Sequence, residues 1–175
     1  MAGNVPTASE LNIDAFKTNF ETGARSYLFY YQPNFPLTKM DSSRFLIKTA
    51  TLPSSTIDEN IVAWQGFDAK FAGKRTYNNL SVTFNVDVNA QIRRIFLQWQ
   101  DLILNPKTNR HAMPNEYFRD QELYLLNPKD FTTSIKYRLK YAWPSTIGDL
   151  QLDHSQTSEF ASFDVEFAYT YFEYE

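Results

Sequence analysis

The stretch LSVTFNVDVNAQIRRIFLQWQDLI, residues 80–103, decides the fold, because its periodicity changes partway along. In its first part Leu80, Val82, Phe84, Val86 and Val88 point one way, and Ser81, Thr83, Asn85 and Asp87 point the other. Successive side chains alternate across a strand, so this predicts a strand over 80–88 with one buried and one polar face. In its second part Ile92, Ile95, Phe96, Trp99, Leu102 and Ile103 recur at helical spacing. Asn89 is the expected N-cap, and Asn105–Pro106 the stop. If fully buried, each of these helix side chains contributes about 1.5–3 kcal/mol before conformational entropy offsets most of it. Such a helix needs a sheet to lie on.

Working towards the C-terminus, residues 106–120 are polar and irregular, a long loop for a compact domain. A short strand is expected over Glu122 to Leu126 and a long one over Thr133 to Trp143. In the long one, Ile135, Tyr137, Leu139, Tyr141 and Trp143 lie opposite Lys136, Arg138 and Lys140. A last strand, Phe160 to Tyr174, sets Phe163, Val165, Phe167, Tyr169 and Tyr171 against Asp164 and Glu166. Pairing these two strands antiparallel through the 144–159 loop would place Lys/Arg across from Asp/Glu. Exposed pairs of that kind are worth at most about 1 kcal/mol each, so they would specify register more than stability.

Towards the N-terminus, Ser26 to Tyr31 and Phe45 to Ala50 read as strands bracketing the loop QPNFPLTKMDSS (32–43). Ile61 to Gly66 and Asp68 to Ala72 read as the arms of a hairpin, with Gly66 and Gly73 supplying backbone freedom for a turn or bulge. Ala8 to Phe20 carries Leu11, Ala15, Phe16 and Phe20 at spacings that suit a short helix ended by Gly23, behind a loose arm. The sum is about seven strands and one strong helix: a mainly-β sandwich or barrel with one packed amphipathic α-helix and a short N-terminal helix. A single domain is expected over 26–175, preceded by an arm over 1–25.

Composition narrows the function. Apolar residues make up 43% and charged residues 21% of the 175, enough for a real core. Aromatics reach 17%, which suits pleated surfaces and interfaces. There is no Cys, which excludes disulfides, Cys-ligated zinc and thiol catalysis and fits assembly in a reducing cytoplasm. The start MAGNVPTASELNIDAF lacks the pattern of a signal peptide, and no apolar run approaches the roughly 20 residues of a membrane span. The net charge of −3 argues against a generic nucleic-acid binder.

Catalytic chemistry finds little support. Asp153-His154-Ser155 contains triad residue types, but a triad is recognised by spatial geometry, and a solvated loop histidine is the simpler reading. His111 also falls on a predicted loop, and no cluster of His or carboxylates has ligand spacing, so neither a metal nor any other cofactor is expected. Ala72-Gly73-Lys74-Arg75-Thr76 fails as a phosphate loop, because position 68 is Asp and position 75 is Arg. Asn79-Leu80-Ser81 matches a glycosylation sequon by chance, and Asp164 with Glu166 reads as a solvated or ion-paired face rather than glycosidase carboxylates. Trp99 and Trp143 belong to apolar faces; Trp64, in the hairpin, is the candidate interface anchor.

Several stretches carry a resemblance: LIKTATLPSS (46–55), GKRTYNNLSVTFNVD (73–87), RRIFLQWQDLI (93–103), AWPSTIGDLQLD (142–153) and FDVEFAYTYFEYE (163–175). Together, from about Phe45 to the C-terminus, they resemble the major tail tube protein family of contractile-tailed bacteriophages, related to the inner tubes of type VI secretion systems and pyocins. The family pattern is met at Thr51, Leu52 and Pro53, at Gly73, Arg75 and Thr76, and at Trp99. It is met again at Trp143, Pro144, Ile147, Gly148, Leu150, Leu152 and Asp153. The first 25 or so residues and the 105–120 loop match it poorly.

The resemblance implies a tail-tube-type β-barrel subunit that closes into hexameric rings. The rings stack on a baseplate-bound initiator, end at a tail terminator, lie inside a sheath and leave a channel for DNA. It implies a virion protein, assembled in the host cytoplasm, with no catalysis and no membrane insertion. On this reading Ser81, Thr83, Asn85, Asp87, Asp164 and Glu166 are candidates for the lumen. Ile61, Trp64, Phe67, Lys74 and Arg75 are candidates for contacts between subunits or rings. Two alternatives stay open: the inner tube of a type VI or pyocin-like system, and a monomeric β-barrel binding a small molecule among its aromatics.

Overall fold

In a computed structural model, residues 23–152 and 160–175 are described, together with residues 13, 14, 17 and 155. The strands are β1 (Phe29–Gln32), β2 (Ile47–Ala50), β3 (Ser55–Trp64), β4 (Phe67–Tyr77), β5 (Leu80–Asn85), β6 (Arg119–Leu126), β7 (Thr133–Ile147), β8 (Ser162–Ala168) and β9 (Tyr171–Tyr174). Two helices, α1 (Gln91–Ile103) and the single-turn α2 (Pro114–Tyr117), follow β5. Seven strands form one sheet in the order β1-β6-β7-β8-β5-β2, with β9 added on β7, while β3 and β4 form a separate two-stranded sheet. This is the mainly-β architecture with one substantial helix that the periodicity predicts.

The core is the apolar face of β5 and β8 closed by α1. Leu80, Val82 and Phe84 stand beside Phe167, Val165 and Phe163 in the antiparallel β5–β8 register. Ile92, Ile95, Phe96 and Trp99 bury themselves against these strands, and Phe35 packs edge-on to Phe96 and Trp99. Ile103 packs on the margin of the cluster, and Leu102 is half-buried. The Trp99 indole donates to the Tyr117 carbonyl at 3.0 Å, so its one polar group is satisfied inside the core. Gln121, wholly buried, accepts from the Tyr31 hydroxyl and the Asn34 amide and donates to the Asn34 carbonyl. A buried amide so satisfied pins the 33–35 segment over the core.

Several local expectations change. The alternating strand stops at Asn85, and Val88 is fully exposed rather than on the buried face. The N-cap is Ala90 in the left-handed region (φ 50°), not Asn89. The capping carboxylate comes from Asp87, whose Oδ1 accepts the Ile92 amide at 3.0 Å. The segment after α1 is less irregular than its composition suggests. Asn105 Oδ1 accepts the Lys107 and Thr108 amides, and Leu104 bridges His111 before α2 begins. In β7 the alternation breaks at Tyr141, where φ is 58° and Gln121↔Leu139 gives way to Arg119↔Ala142. This bulge turns Tyr141 outward and puts Ala142 and Pro144 inside.

The final strand is two strands, β8 and β9, parted at Tyr169–Thr170. Both pair with β7 antiparallel, as expected, but the charges meet differently. Lys136 and Arg138 meet Glu122 of β6, and Lys140 meets Asp120 at 2.8 Å and Glu173 at 3.8 Å. Asp164 and Glu166 instead lie beside β5. Of the expected N-terminal helix, Ile13, Asp14 and Lys17 are helical; the rest of residues 8–20 falls outside the described residues.

Candidate assembly surfaces

Three surfaces remain once the core is accounted for. The β3–β4 hairpin is longer than its arms suggest, because polar Ser55–Asn60 and Gly73–Tyr77 extend the pairing. Gln65 (φ 47°) and Gly66 (φ 85°) make its two-residue turn, both left-handed as a tight hairpin requires. A bulge sets Asp58 against Gly73 and Lys74. A Cβ on Gly73 would lie 2.9 Å from the Asp58 carbonyl oxygen, so only glycine lets the strands approach there.

Directly opposed residues share a face. One face therefore carries Trp64 opposite Phe67, Val62 opposite Ala69, and Asn60 opposite Phe71. Its large side chains face solvent, with Trp64 at 69% and Phe67 at 77% exposure. The other face carries Ile61 opposite Lys70, and Lys70 is paired with Glu59 at 2.7 Å. The structure thus joins Trp64 and Phe67 at the hairpin tip, turns Ile61 to the opposite side, and leaves Lys74 and Arg75 exposed at the bulge. Phe71 and Val62, which belong to the same apolar face, were not singled out by sequence; the period-two pattern of β4 beyond Ala69 was the available signal.

The second surface is the polar side of β2, β5 and β8, turned away from α1. Ser81 stands opposite Glu166, Thr83 opposite Asp164, and Asn85 opposite Ser162. Thr49 of β2 donates to the Thr83 hydroxyl at 2.7 Å, and Thr83 donates to Asp164 at 2.6 Å. Five of the six residues expected to share a polar face do so; Asp87, beyond the end of the strand, caps α1 instead. Thr49 is the member that sequence reasoning missed, since its place depends on which strand lies beside β5.

The third surface is the charged side of β6, β7 and β9. Glu122 accepts from Tyr124 at 2.5 Å and from Arg138 at 3.0 Å, and pairs with Lys136 at 3.2 Å. Partial burial works to raise its carboxyl, but the donors from Tyr124, Lys136 and Arg138 outweigh it and hold the group below the usual range. Among the described residues no three His or acidic side chains are grouped as metal ligands would be. Nor is any helix there long and apolar enough to cross a membrane.

These surfaces belong to a known kind of protein. Residues 12–175 match the family model of the phage tail tube protein. The chain belongs to the phage tail tube protein family. It is 34% identical over 125 residues to the Tail tube protein of Serratia phage KSP90, covering 71% of this chain and 70% of that one. It is 27% identical over 166 residues to the Tail tube protein gp19 of Enterobacteria phage T4, covering 92% and 99%.

Among solved structures, the anti-feeding prophage tube-terminating cap superposes with a TM-score of 0.67 at 14% identity, over 89% of this chain and 93% of that one. A chain of the PVC extracellular contractile injection system, from its extended sheath-tube complex, gives 0.57 at 10% identity over 94% and 97%. At such identities these neighbours show the shared fold. As a phage tail tube protein, this chain is a structural, non-enzymatic component of the tail and therefore of the virion. The absence of a catalytic constellation in the sequence follows from that role.

Proposed function

We propose that copies of this tail tube protein close into hexameric rings whose stacked channel carries phage DNA. The observation that carries this reading is a four-stranded segment with two open borders. The Trp143–Ile147 part of β7 pairs with β8, β8 with β5, and β5 with β2. Among the described residues the other side of β7 has no strand beyond Ala142, and β2 pairs with β5 alone. Open borders invite pairing with another chain, and copies set side by side continue one sheet around a ring.

In that ring the face bearing Ser81, Thr83, Asn85, Asp164 and Glu166 lines the lumen, because α1 and the core occupy the other side. The lining holds carboxylates and hydroxyls, and it repels a phosphate backbone rather than binding it. The apolar hairpin face, with Trp64 and Phe67 at its tip, meets a neighbouring copy or ring. Contact made head to tail does not close and so grows a filament. A baseplate initiator starts the tube, a terminator ends it and the sheath surrounds it, all within the bacterial cytoplasm. The phage relatives support DNA as the cargo over the protein cargo of a secretion tube.

Negative-stain microscopy of the purified chain, alone and with its baseplate and sheath, tests the proposal. Six-fold rings or tubes are expected. Particles that stay single at high concentration under both conditions overturn it.

A further inference from the structure

The root of the β3–β4 hairpin holds the one anomaly among the buried side-chain polar atoms of the described residues. The Tyr169 hydroxyl is sealed from solvent and has no hydrogen-bond partner there. Tyr169 extends the core face of β8 beyond Phe167, and Tyr77, the last residue of β4, packs against it with ring centroids 6.1 Å apart. Phe172 completes the cluster, edge-on to Tyr77 at 5.5 Å. A buried hydroxyl left unpaired costs free energy, and stored strain is one use a native structure makes of such a group.

The hairpin stands apart from the main sheet at this point, beyond Thr51, whose amide donates to the Ser81 carbonyl at 3.0 Å. Among the described residues its strands pair only with each other, and short connections, 51–54 and 78–79, join it to the main sheet. Those connections are tied together, because the Asn78 amide donates to the Ser54 carbonyl at 3.1 Å and its side chain donates to the Ser54 hydroxyl at 2.9 Å.

We infer that Tyr77 and Tyr169 form a latch that holds the hairpin in a standby orientation and releases it when the hairpin engages a neighbouring copy. This rests on the tube reading above. Packing of Tyr77 on Tyr169 and Phe172 favours the closed latch, and the unpaired hydroxyl opposes it. Opening lets Tyr169 reach water or a partner group, so the two states lie close in energy and docking decides between them. Burial under Tyr77 keeps the hairpin's apolar face from adopting its docking angle before a second copy is present.

The test compares the full chain with Tyr169→Phe and Tyr77→Leu, using amide exchange at the hairpin root and the concentration at which tubes form. Tyr169→Phe removes the opposing hydroxyl. Exchange at Tyr77 and Asn78 slows, and the threshold for tube growth rises, each by roughly fivefold or more, the factor set by the smallest cost of an unpaired buried hydroxyl. Tyr77→Leu uncovers the hydroxyl and speeds exchange at Asn78 by a similar factor. Unchanged exchange in both variants overturns the latch, as does a Tyr169→Phe chain that assembles at lower concentration. If the unsubstituted chain forms no tubes at all, the tube reading fails, while the exchange rates still decide the latch.

Discussion

The carboxylate of Asp87 accepts the amide of Ile92 at 3.0 Å, closing the first turn of α1 from a residue outside the helix. The chain reaches that geometry by turning left-handed at Ala90 (φ 50°). Since α1 supplies Ile92, Ile95, Phe96 and Trp99 to the core, loosening its start loosens the whole sandwich. Asp87→Ala is expected to cost about 0.5–2 kcal/mol, the usual worth of a helix cap. Urea unfolding measures it, and an unchanged midpoint would show that the cap contributes nothing.

Acid should act through carboxylates that folding lowers, Asp87 and Glu122 beside the exposed Asp130, which Thr132 lowers. Desolvation tends to raise the Asp87 carboxyl, but amides from Ile92 and Gln91 overcome this and lower it; Glu122 is lowered by its own donors. A group depressed on folding stabilises the native state above its unfolded value, near pH 4, and that contribution fades as pH falls through the folded value. The melting temperature is therefore expected to hold above about pH 5 and to drop steadily below pH 4. The double variant Asp87→Asn, Glu122→Gln should begin lower and show a flatter profile. A parallel profile would assign the acid sensitivity to other groups.

Core packing supplies the largest single effect. Phe96 contacts Phe84, Phe163, Phe167 and Trp99 at ring-centroid distances of 5.1–6.5 Å. Phe96→Ala is expected to cost about 3–5 kcal/mol, whereas Leu97→Ala, one residue on and exposed, should stay within about 0.5 kcal/mol. Paired denaturation curves decide it.

At Gly148 the constraint is space. Its amide donates to the Asp164 carbonyl at 2.7 Å, and an added Cβ would lie 3.1 Å from that same oxygen. The Gly148 carbonyl also accepts from Arg93 of α1 at 2.9 Å, tying helix to loop. Gly148→Ala is expected to destabilise by about 1–3 kcal/mol through overpacking. A neutral result in thermal melts would mean that β8 yields without strain.

Substitution at the hairpin tip should separate folding from assembly. Trp64→Ser with Phe67→Ser removes a cross-strand pair whose apolar surface is mostly exposed in the subunit. Subunit stability is expected to change by less than about 0.5 kcal/mol. Tube formation, followed by light scattering, should be lost or shifted to much higher concentration. Normal tubes from the double variant would exclude the tip as a contact.

Strands and helix were legible wherever one face is buried, because burial writes its period into the chain. Leu80, Val82 and Phe84 announce β5, and Ile92 through Trp99 announce α1. Partnership was less legible. The charges of Lys136 and Arg138 called for acids, but which acids depends on which strand neighbours β7, and Glu122 answered where Asp164 and Glu166 were expected. Bulges hid for a related reason: Tyr141 continues the apolar alternation as a letter, yet its backbone turns left-handed and reverses the faces that follow. The extended hairpin was legible only at its apolar end, since strands exposed on both sides impose no clean alternation beyond it.

β7 takes part in two neighbourhoods with a single backbone. Up to Ala142 it lies between β6 and β9, and from Trp143 onward it borders β8. A pull or twist applied to the charged half, beside β6 and β9, therefore passes to the half beside β8 through covalent bonds, with no interface to slip. The two neighbourhoods are thus joined by an unbroken chain, with the Tyr141 bulge at the point where one gives way to the other.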